Sequence, residues 1–137
     1  MYLLDTNILS ELRKGQRCDA NVRRWAEGEL IGSKGYVSVM ALGEIRNGID
    51  RLIGRDPETA HRLEVWLGTV YEQFQDGILP ITLEIAEEWG RMNAVRSLPV
   101  ADSLMAATAN VHGLFFVTRD VKPLTKTGVK LLNPFEN

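Results

Sequence analysis

Two short apolar runs decide the fold, Tyr2-Leu3-Leu4 and Leu114-Phe115-Phe116-Val117, and each is soon followed by an aspartate. The first run leads directly into Asp5, and the second leads through two polar residues into Asp120. Apolar runs of this length are typical of buried strands in a parallel sheet. Because ligands bind outside the carboxyl ends of the strands in open α/β sheets, both aspartates are predicted to lie where a site is expected.

Strand patterns alternate with helical patterns along the whole chain. Strands are predicted over 1–5, 36–37, 78–81, 114–118 and 131–132, and helices over 6–14, 21–27, 38–54, 56–77, 82–98 and 100–112. Thr6 or Asn7 is the predicted N-cap of the first helix, and Ser38, Asp56 and Thr82 are the predicted N-caps of the third, fourth and fifth. Gly28 is predicted to break the second helix, and Pro80 favours an edge position for its strand. Right-handed crossovers then give the α/β class, a three-layer α/β/α sandwich with a central, mainly parallel sheet.

Composition indicates one ordinary globular domain spanning residues 1–137. The chain is 45% hydrophobic and 25% charged, which disfavours disordered, fibrous and membrane classes. A single cysteine, Cys18, precludes an intramolecular disulfide, and the isolated His61 and His112 do not form a zinc motif. With no leader or membrane-spanning run apparent, a cytoplasmic location is predicted.

The formal charge of −2 argues against binding bulk duplex DNA by charge alone. Basic residues nevertheless concentrate over 13–24 and 119–130. Two interpretations stay open for these runs: ordinary solvated faces, or basic rims on either side of an acidic centre.

Two further acids complete a candidate cluster with Asp5 and Asp120. Glu44 lies on the helix after the second strand, and Asp102 lies in the first turn of a helix, where the helix dipole favours negative charge. If strands 1–5 and 114–118 are neighbours, all four carboxylates converge at one edge of the sheet. Clustered carboxylates repel one another, and a cation relieves that repulsion.

The ligand types in this cluster indicate Mg²⁺ or Mn²⁺ as the cofactor, because oxygen ligands suit hard cations and the soft ligands that select zinc are absent. The hydroxyls of Thr6 and Thr118 are predicted to orient the acids or to bind metal waters. Such a site activates water and neutralises phosphate charge, so the predicted reaction is phosphodiester hydrolysis. The number of ions, one or two, stays open.

The strings around these acids resemble the PIN-domain ribonucleases, and among them the VapC-like toxins of type II toxin–antitoxin pairs. The resemblance rests on residues 2–10 (YLLDTNILS), 38–48 (SVMALGEIRNG), 99–109 (PVADSLMAATA) and 116–120 (FVTRD), followed by Gly128-Val129 and 132–135. These strings contain Asp5, Glu44, Asp102 and Asp120 in order. Many relatives carry Asn at the position of Asp120 and an Asp-Phe pair a few residues later, where this chain has Pro123-Leu124, so Asp120 is its only candidate fourth acid.

The resemblance implies a Mg²⁺- or Mn²⁺-dependent endoribonuclease that cleaves single-stranded or looped RNA and arrests growth when it is freed. It also implies a homodimer and a cognate antitoxin whose tail covers the cleft, often with an arginine among the acids. DNA would be bound only indirectly, through the antitoxin. All four acids are implied to be catalytic and metal-binding.

Several alternatives stay open. Arg46 and Arg119, each near an acid, either form salt bridges that hold a carboxylate or clamp phosphates. The three tryptophans either stack on bases or pack in the core or a dimer interface.

For the whole chain, the alternatives are a catalytically inactive PIN-like partner-binding module and, less favoured, an aspartyl-phosphate phosphatase. The phosphatase chemistry requires a second aspartate two residues after Asp5, where this chain has Asn7.

Overall fold

A fully parallel sheet forms the centre of the computed structural model, which describes residues 1–136. Its five strands in that range are β1 (Tyr2–Leu4), β2 (Gly35–Ser38), β3 (Ile78–Leu79), β4 (Phe115–Val117) and β5 (Leu131–Leu132). The strand order is β3-β2-β1-β4-β5, and Leu3 pairs with Phe116 in the register of β1 and β4. The two strands followed by aspartates are therefore neighbours, which is the condition for the four acids to converge, and β3 is an edge strand as Pro80 indicated.

Helices fill the connections between these strands. They are α1 (Thr6–Leu12), α2 (Ala20–Trp25), α3 (Val39–Leu52), α4 (Pro57–Gln73), α5 (Leu83–Val95) and α6 (Val100–His112). The chain moves in one direction across the sheet from β1 to β3 and reverses only on the way to β4. Right-handed crossovers consequently place α1 to α4 on one face and α5 and α6 on the other, which is the predicted three-layer arrangement.

Side-chain caps begin most of these helices where the sequence predicted them. Ser38, Asp56 and Thr82 each accept a hydrogen bond from a backbone N–H in the first turn of α3, α4 and α5. The prediction for α1 was wrong by one residue or more, because Asp5 rather than Thr6 or Asn7 is the N-cap. Asp5 has extended backbone angles, whereas Thr6 is already helical, so the strand-ending acid also begins the helix.

The break predicted at Gly28 is also wrong. After α2 the chain continues as a π-helical segment, Ala26–Leu30, that contains this glycine. A glycine costs a helix only about 1 kcal/mol relative to alanine, so the helical path continues and widens there.

The core lies between the sheet and its flanking helices. Leu3, Leu4 and Phe116 contribute fully buried side chains from β1 and β4, while Ile8 and Met105 contribute them from α1 and α6. The two strands that lead to the candidate acids Asp5 and Asp120 are thus packed into the core, which holds the backbone at their ends. Among residues 1–136, no helix combines the length and the apolar character that crossing a bilayer requires.

Candidate active site

Asp5 occupies the junction between β1 and α1 and is only 3% exposed. Its Oδ1 accepts a hydrogen bond from the Thr6 amide at 2.7 Å, and its Oδ2 accepts one from Thr118 Oγ1 at 2.6 Å. The neighbouring strand therefore supplies the hydroxyl that orients this carboxylate, as the sequence analysis predicted for Thr118. Neither hydrogen bond is to a cationic group.

Burial raises the pKa of Asp5 from its usual 3.8 to about 6, and the nearby carboxylates of Asp102 and Glu44 add to the increase. The hydrogen bonds from Thr118 and Thr6 act in the opposite direction because they favour the ionised form. A carboxylate this costly to ionise beside two other acids has the electrostatic character of a functional site.

Asp102 lies in the first turn of α6, whose N-cap is Pro99. An acid three residues after an N-cap normally reaches back to the N-cap N–H, but proline has no N–H. In the part of the chain that the structure describes, no hydrogen-bond donor contacts this half-buried carboxylate. Burial raises the pKa of Asp102, and Glu44 and Asp120 raise it further. The side chain is not a helix cap and faces its fellow acids.

Glu44 is exposed on α3 and meets α1 through a short contact. Thr6 Oγ1 donates a hydrogen bond to Glu44 Oε1 at 2.6 Å. Thr6 is the residue directly after Asp5, so its amide and its hydroxyl contact different acids. This residue joins the end of β1 to the helix that carries Glu44.

Asp120 is exposed and lies three residues beyond the end of β4. Its amide donates to Thr118 Oγ1 at 3.0 Å, and its Oδ2 accepts from Asn7 Nδ2 at 3.3 Å. Asn7 Oδ1 also accepts from the amide of Arg119 at 3.3 Å. The sequence analysis considered Asn7 as a possible cap and as a non-acidic residue but missed this bridge, for which its position two residues after a strand-ending acid was the available signal.

All four predicted acids lie at one edge of the sheet. The carboxylates of Glu44 and Asp102 repel that of Asp5 and raise its pKa, and those of Glu44 and Asp120 do the same to Asp102. Across residues 1–136, however, no three acidic, histidine or cysteine side chains already form a set that could hold a metal ion. Asp5, Glu44 and Asp120 each direct an oxygen to a neighbouring donor instead.

The donor set fits a hard divalent cation by its chemistry. Every candidate ligand atom is a carboxylate or hydroxyl oxygen, and Glu44 and Asp120 are exposed side chains with freedom to turn. No salt bridge from a lysine, arginine or histidine within the described range reaches any of the four acids. The negative charge of this edge is therefore without a counter-charge from the described chain.

Of the two arginines near the acids, Arg46 takes the salt-bridge role that the sequence left open, although its partners are not site acids. Arg46 does form a salt bridge, but with Glu64 on α4 through two contacts of 2.8 and 2.7 Å, and also with Asp50 at 3.2 Å. It thus joins α3 to α4 and holds no site acid. Arg119 forms no salt bridge within residues 1–136, and its guanidinium lies 4.4 Å from the centre of the Phe135 ring. Cation–π contact explains this position.

Pro123 and Leu124 belong to a short 3₁₀ turn, Lys122–Leu124. Leu124 is fully buried in the core, and the Pro123 carbonyl accepts a hydrogen bond from Arg96 at 2.6 Å. Pro123 and Leu124, at the positions where many relatives were expected to carry an Asp-Phe pair, thus serve packing in this chain.

All three tryptophans are partly buried against the core. Trp25 lies edge-on to Tyr2, and Trp66 lies beneath the guanidinium of Arg13 at 5.7 Å. Their placement agrees with the packing interpretation.

Comparison with known proteins gives a consistent result. The family model for the PIN domain matches residues 2–129. The chain is 31% identical to VapC ribonuclease Y4jK of Sinorhizobium fredii, with 99% of each chain covered, and 30% identical to Toxin FitB of Neisseria gonorrhoeae, with all of both chains covered. The crystal structure of FitAcB from Neisseria gonorrhoeae superposes with a TM-score of 0.87 at 26% identity, also over the full length of both chains.

Proposed function

The chain belongs to the PIN-domain family, and we propose that it is a Mg²⁺- or Mn²⁺-dependent endoribonuclease that acts as the toxin of a toxin–antitoxin pair. The observation that carries the proposal is the buried Asp5, whose pKa is raised to about 6 beside Glu44 and Asp102 at the carboxyl edge of the sheet. The names of the two relatives, a VapC ribonuclease and a toxin, support the same assignment.

Asp5 and Asp102 are the proposed principal ligands of the cation, with Glu44 and Asp120 completing the set. Asp5 is fixed by Thr118 and by the start of α1, so it supplies an oxygen at a constant position. Glu44 and Asp120 are exposed and adjust to the ion and to the RNA. When bound, the cation supplies Lewis-acid activation of water and neutralises charge on the scissile phosphate.

Hydrogen bonds at the site orient the acids, and those to Asp5 favour its ionised, metal-accepting form. Thr118 Oγ1 donates to Asp5 and so stabilises its carboxylate rather than its acid form. Thr6 donates to Glu44 and Asn7 donates to Asp120, which keeps both exposed acids near the edge of the sheet. Asn7 is an amide and supplies no acid two residues after Asp5, which disfavours the phosphatase alternative.

An RNA cleavage assay tests the proposal directly. The purified, antitoxin-free chain is incubated with a structured, end-labelled RNA and Mg²⁺, with and without EDTA. We expect Asp5→Asn and Asp102→Asn to reduce cleavage about 100-fold or more, because even groups outside the ligand shell change metal sites by 10- to 100-fold. The matched control is Asp50→Asn, which removes an equal charge from an exposed acid that pairs with Arg46.

Cleavage that persists in EDTA, or full activity in Asp5→Asn, would contradict metal-dependent hydrolysis at this site. If the wild-type chain binds its partner but cleaves no RNA, with or without added Mg²⁺, the inactive partner-binding module would be favoured instead.

The proposed protein partner is a cognate antitoxin whose tail places an arginine among the four acids. The acidic edge receives no salt bridge within the part of the chain described, so a bidentate guanidinium would satisfy it. In this proposal the chain works in the cytoplasm as a homodimer and contacts DNA only through the antitoxin. Induction in bacteria should stop growth for wild type but not for Asp102→Asn, and co-expression of a cognate antitoxin should restore growth. Sedimentation should report a dimer.

A further inference from the structure

A hydrogen-bonded connection joins α5 to the first turn of α6, immediately beside Asp102. Trp89 Nε1 donates to Ser103 Oγ at 2.9 Å, and Ser103 Oγ donates to the Pro99 carbonyl at 2.6 Å. Ser103 is fully buried, and Trp89 is partly buried against the core. We call this pair, Trp89 and Ser103, the brace.

The polypeptide between α5 and α6 is fastened on the same side. Asn93 Nδ2 donates to the Trp89 carbonyl at 2.9 Å, and Asn93 Oδ1 accepts from the Leu98 amide at 3.0 Å. The last turns of α5 therefore hold both the segment before Pro99 and the turn after it. Helices α5 and α6 are neighbours along their lengths, so this contact has a rigid base.

The start of α6 needs such an attachment for two reasons. Its N-cap, Pro99, makes no side-chain cap hydrogen bond, so the first turn lacks the usual stabilisation. Asp102 is also repelled by Glu44 and Asp120, which favours movement of this turn away from the other acids. Since Ser103 is the next residue after Asp102, anchoring its side chain fixes the direction in which the Asp102 carboxylate leaves the helix.

We propose that Trp89 and Ser103 are positioning residues for Asp102. They keep its carboxylate close to the neighbouring acids despite the repulsion between them, so that it can bind the cation. This inference rests on the proposed function, because it assigns the brace a role in metal binding rather than in folding alone. Trp89 thereby has a polar role that its place in an apolar helical pattern does not reveal.

A pair of matched substitutions tests the brace. Trp89→Phe keeps a ring in the core and removes the N–H that donates to Ser103, whereas Trp25→Phe removes an indole N–H that has no hydrogen-bond partner within residues 1–136. The dissociation constant for Mn²⁺ is measured by electron paramagnetic resonance on the full chain, with circular dichroism as the check on folding. We expect Trp89→Phe to weaken Mn²⁺ binding about tenfold and Trp25→Phe to leave it unchanged.

Ser103→Ala breaks the same hydrogen bond from the other side and should weaken Mn²⁺ binding to a similar degree. In an Asp102→Asn background, adding Trp89→Phe should produce no further weakening, since the brace acts through Asp102. RNA cleavage by Trp89→Phe should show a reduced kcat with an unchanged KM.

The outcomes separate the two proposals. Wild-type protein that neither binds Mn²⁺ nor cleaves RNA would refute the proposed function, and the brace inference with it. Wild-type Mn²⁺ affinity in both Trp89→Phe and Ser103→Ala would refute the brace alone. An equal loss from Trp89→Phe with and without Asp102 would also refute it, because the effect would then be general loosening of the fold.

Discussion

Replacing Asp5 by asparagine should stabilise the metal-free protein at neutral pH while abolishing its activity. The folded-state pKa of Asp5 is about 6 and its usual value is 3.8. At about 1.4 kcal/mol per pH unit, this difference means that the ionised carboxylate costs the fold about 3 kcal/mol above pH 6. The side chain is 3% exposed, so solvent screening reduces this cost little.

Asparagine removes the charge but keeps only one oxygen acceptor. The contact with either the Thr6 amide or the Thr118 hydroxyl must rearrange, at a cost of about 1 kcal/mol. The net gain expected for Asp5→Asn is therefore about 2 kcal/mol at pH 8. For a chain of this length, that gain corresponds to a rise in Tm of roughly 8 °C.

The pH dependence follows from the sign of the shift. Because the folded pKa is raised, the native protein takes up a proton before the unfolded chain does as the pH falls below 6. Wild-type stability should therefore recover between pH 6 and pH 4, and the advantage of Asp5→Asn should disappear over the same window. Saturating Mn²⁺ should stabilise wild type by about 2.7 kcal/mol at 100 times its Kd, but should not stabilise the variant.

Thermal unfolding followed by circular dichroism in EDTA, at pH 8 and pH 4, measures both effects. Asp76→Asn, which neutralises an acid on the exposed segment after α4, is the control and should leave Tm nearly unchanged. A lower Tm for Asp5→Asn than for wild type at pH 8, or a difference that does not vary with pH, would show that the buried charge is not what limits stability.

Three further predictions concern residues outside the four acids of the candidate site. Glu11→Gln should lower stability at pH 7, because the hydrogen bond from the Asp19 amide lowers the pKa of Glu11, and denaturant titrations should show the difference vanishing as the pH falls below 4.5. Glu64→Gln, which breaks the exposed ion pair with Arg46, should change Tm only slightly and leave the rate of RNA cleavage unchanged. Leu124→Ala should cost about 2–5 kcal/mol in urea unfolding, because the side chain is fully buried.

Much of the fold could be predicted because the signals are local. The strand-ending aspartates, the caps at Ser38, Asp56 and Thr82, and the alternation of strands and helices all depend on residues adjacent in sequence. The pairing of β1 with β4 was supposed because it would bring the four acids together, and the structure contains that pairing. The continuation of α2 through Gly28 was missed because a glycine only weakens a helix, and neighbouring contacts decide the outcome.

The side-chain partners of the site could not be predicted in the same way. Arg46 and Arg119 lie next to acids in sequence, yet one pairs with α4 and the other with Phe135. Residues two apart on a helix point in nearly opposite directions, so Glu44 and Arg46 cannot serve the same face of α3. The contacts of Asn7 and Trp89 join segments distant in sequence, and their existence depends on tertiary packing.

The two strand-ending aspartates do not contribute equally to the site. Asp5 is buried, caps α1 and has a pKa raised to about 6, so its position is constant and its carboxylate carries a charge above pH 6 that a bound cation would offset. Asp120 is exposed, and its backbone is tied to Asp5 through Thr118, whose hydroxyl contacts both residues. The turn that follows, Lys122–Leu124, contains no acid and buries Leu124 in the core, so it supplies no second carboxylate beside Asp120. A threonine that joins one rigid and one adjustable carboxylate therefore sets the spacing between the two strand ends on which the proposed metal site depends.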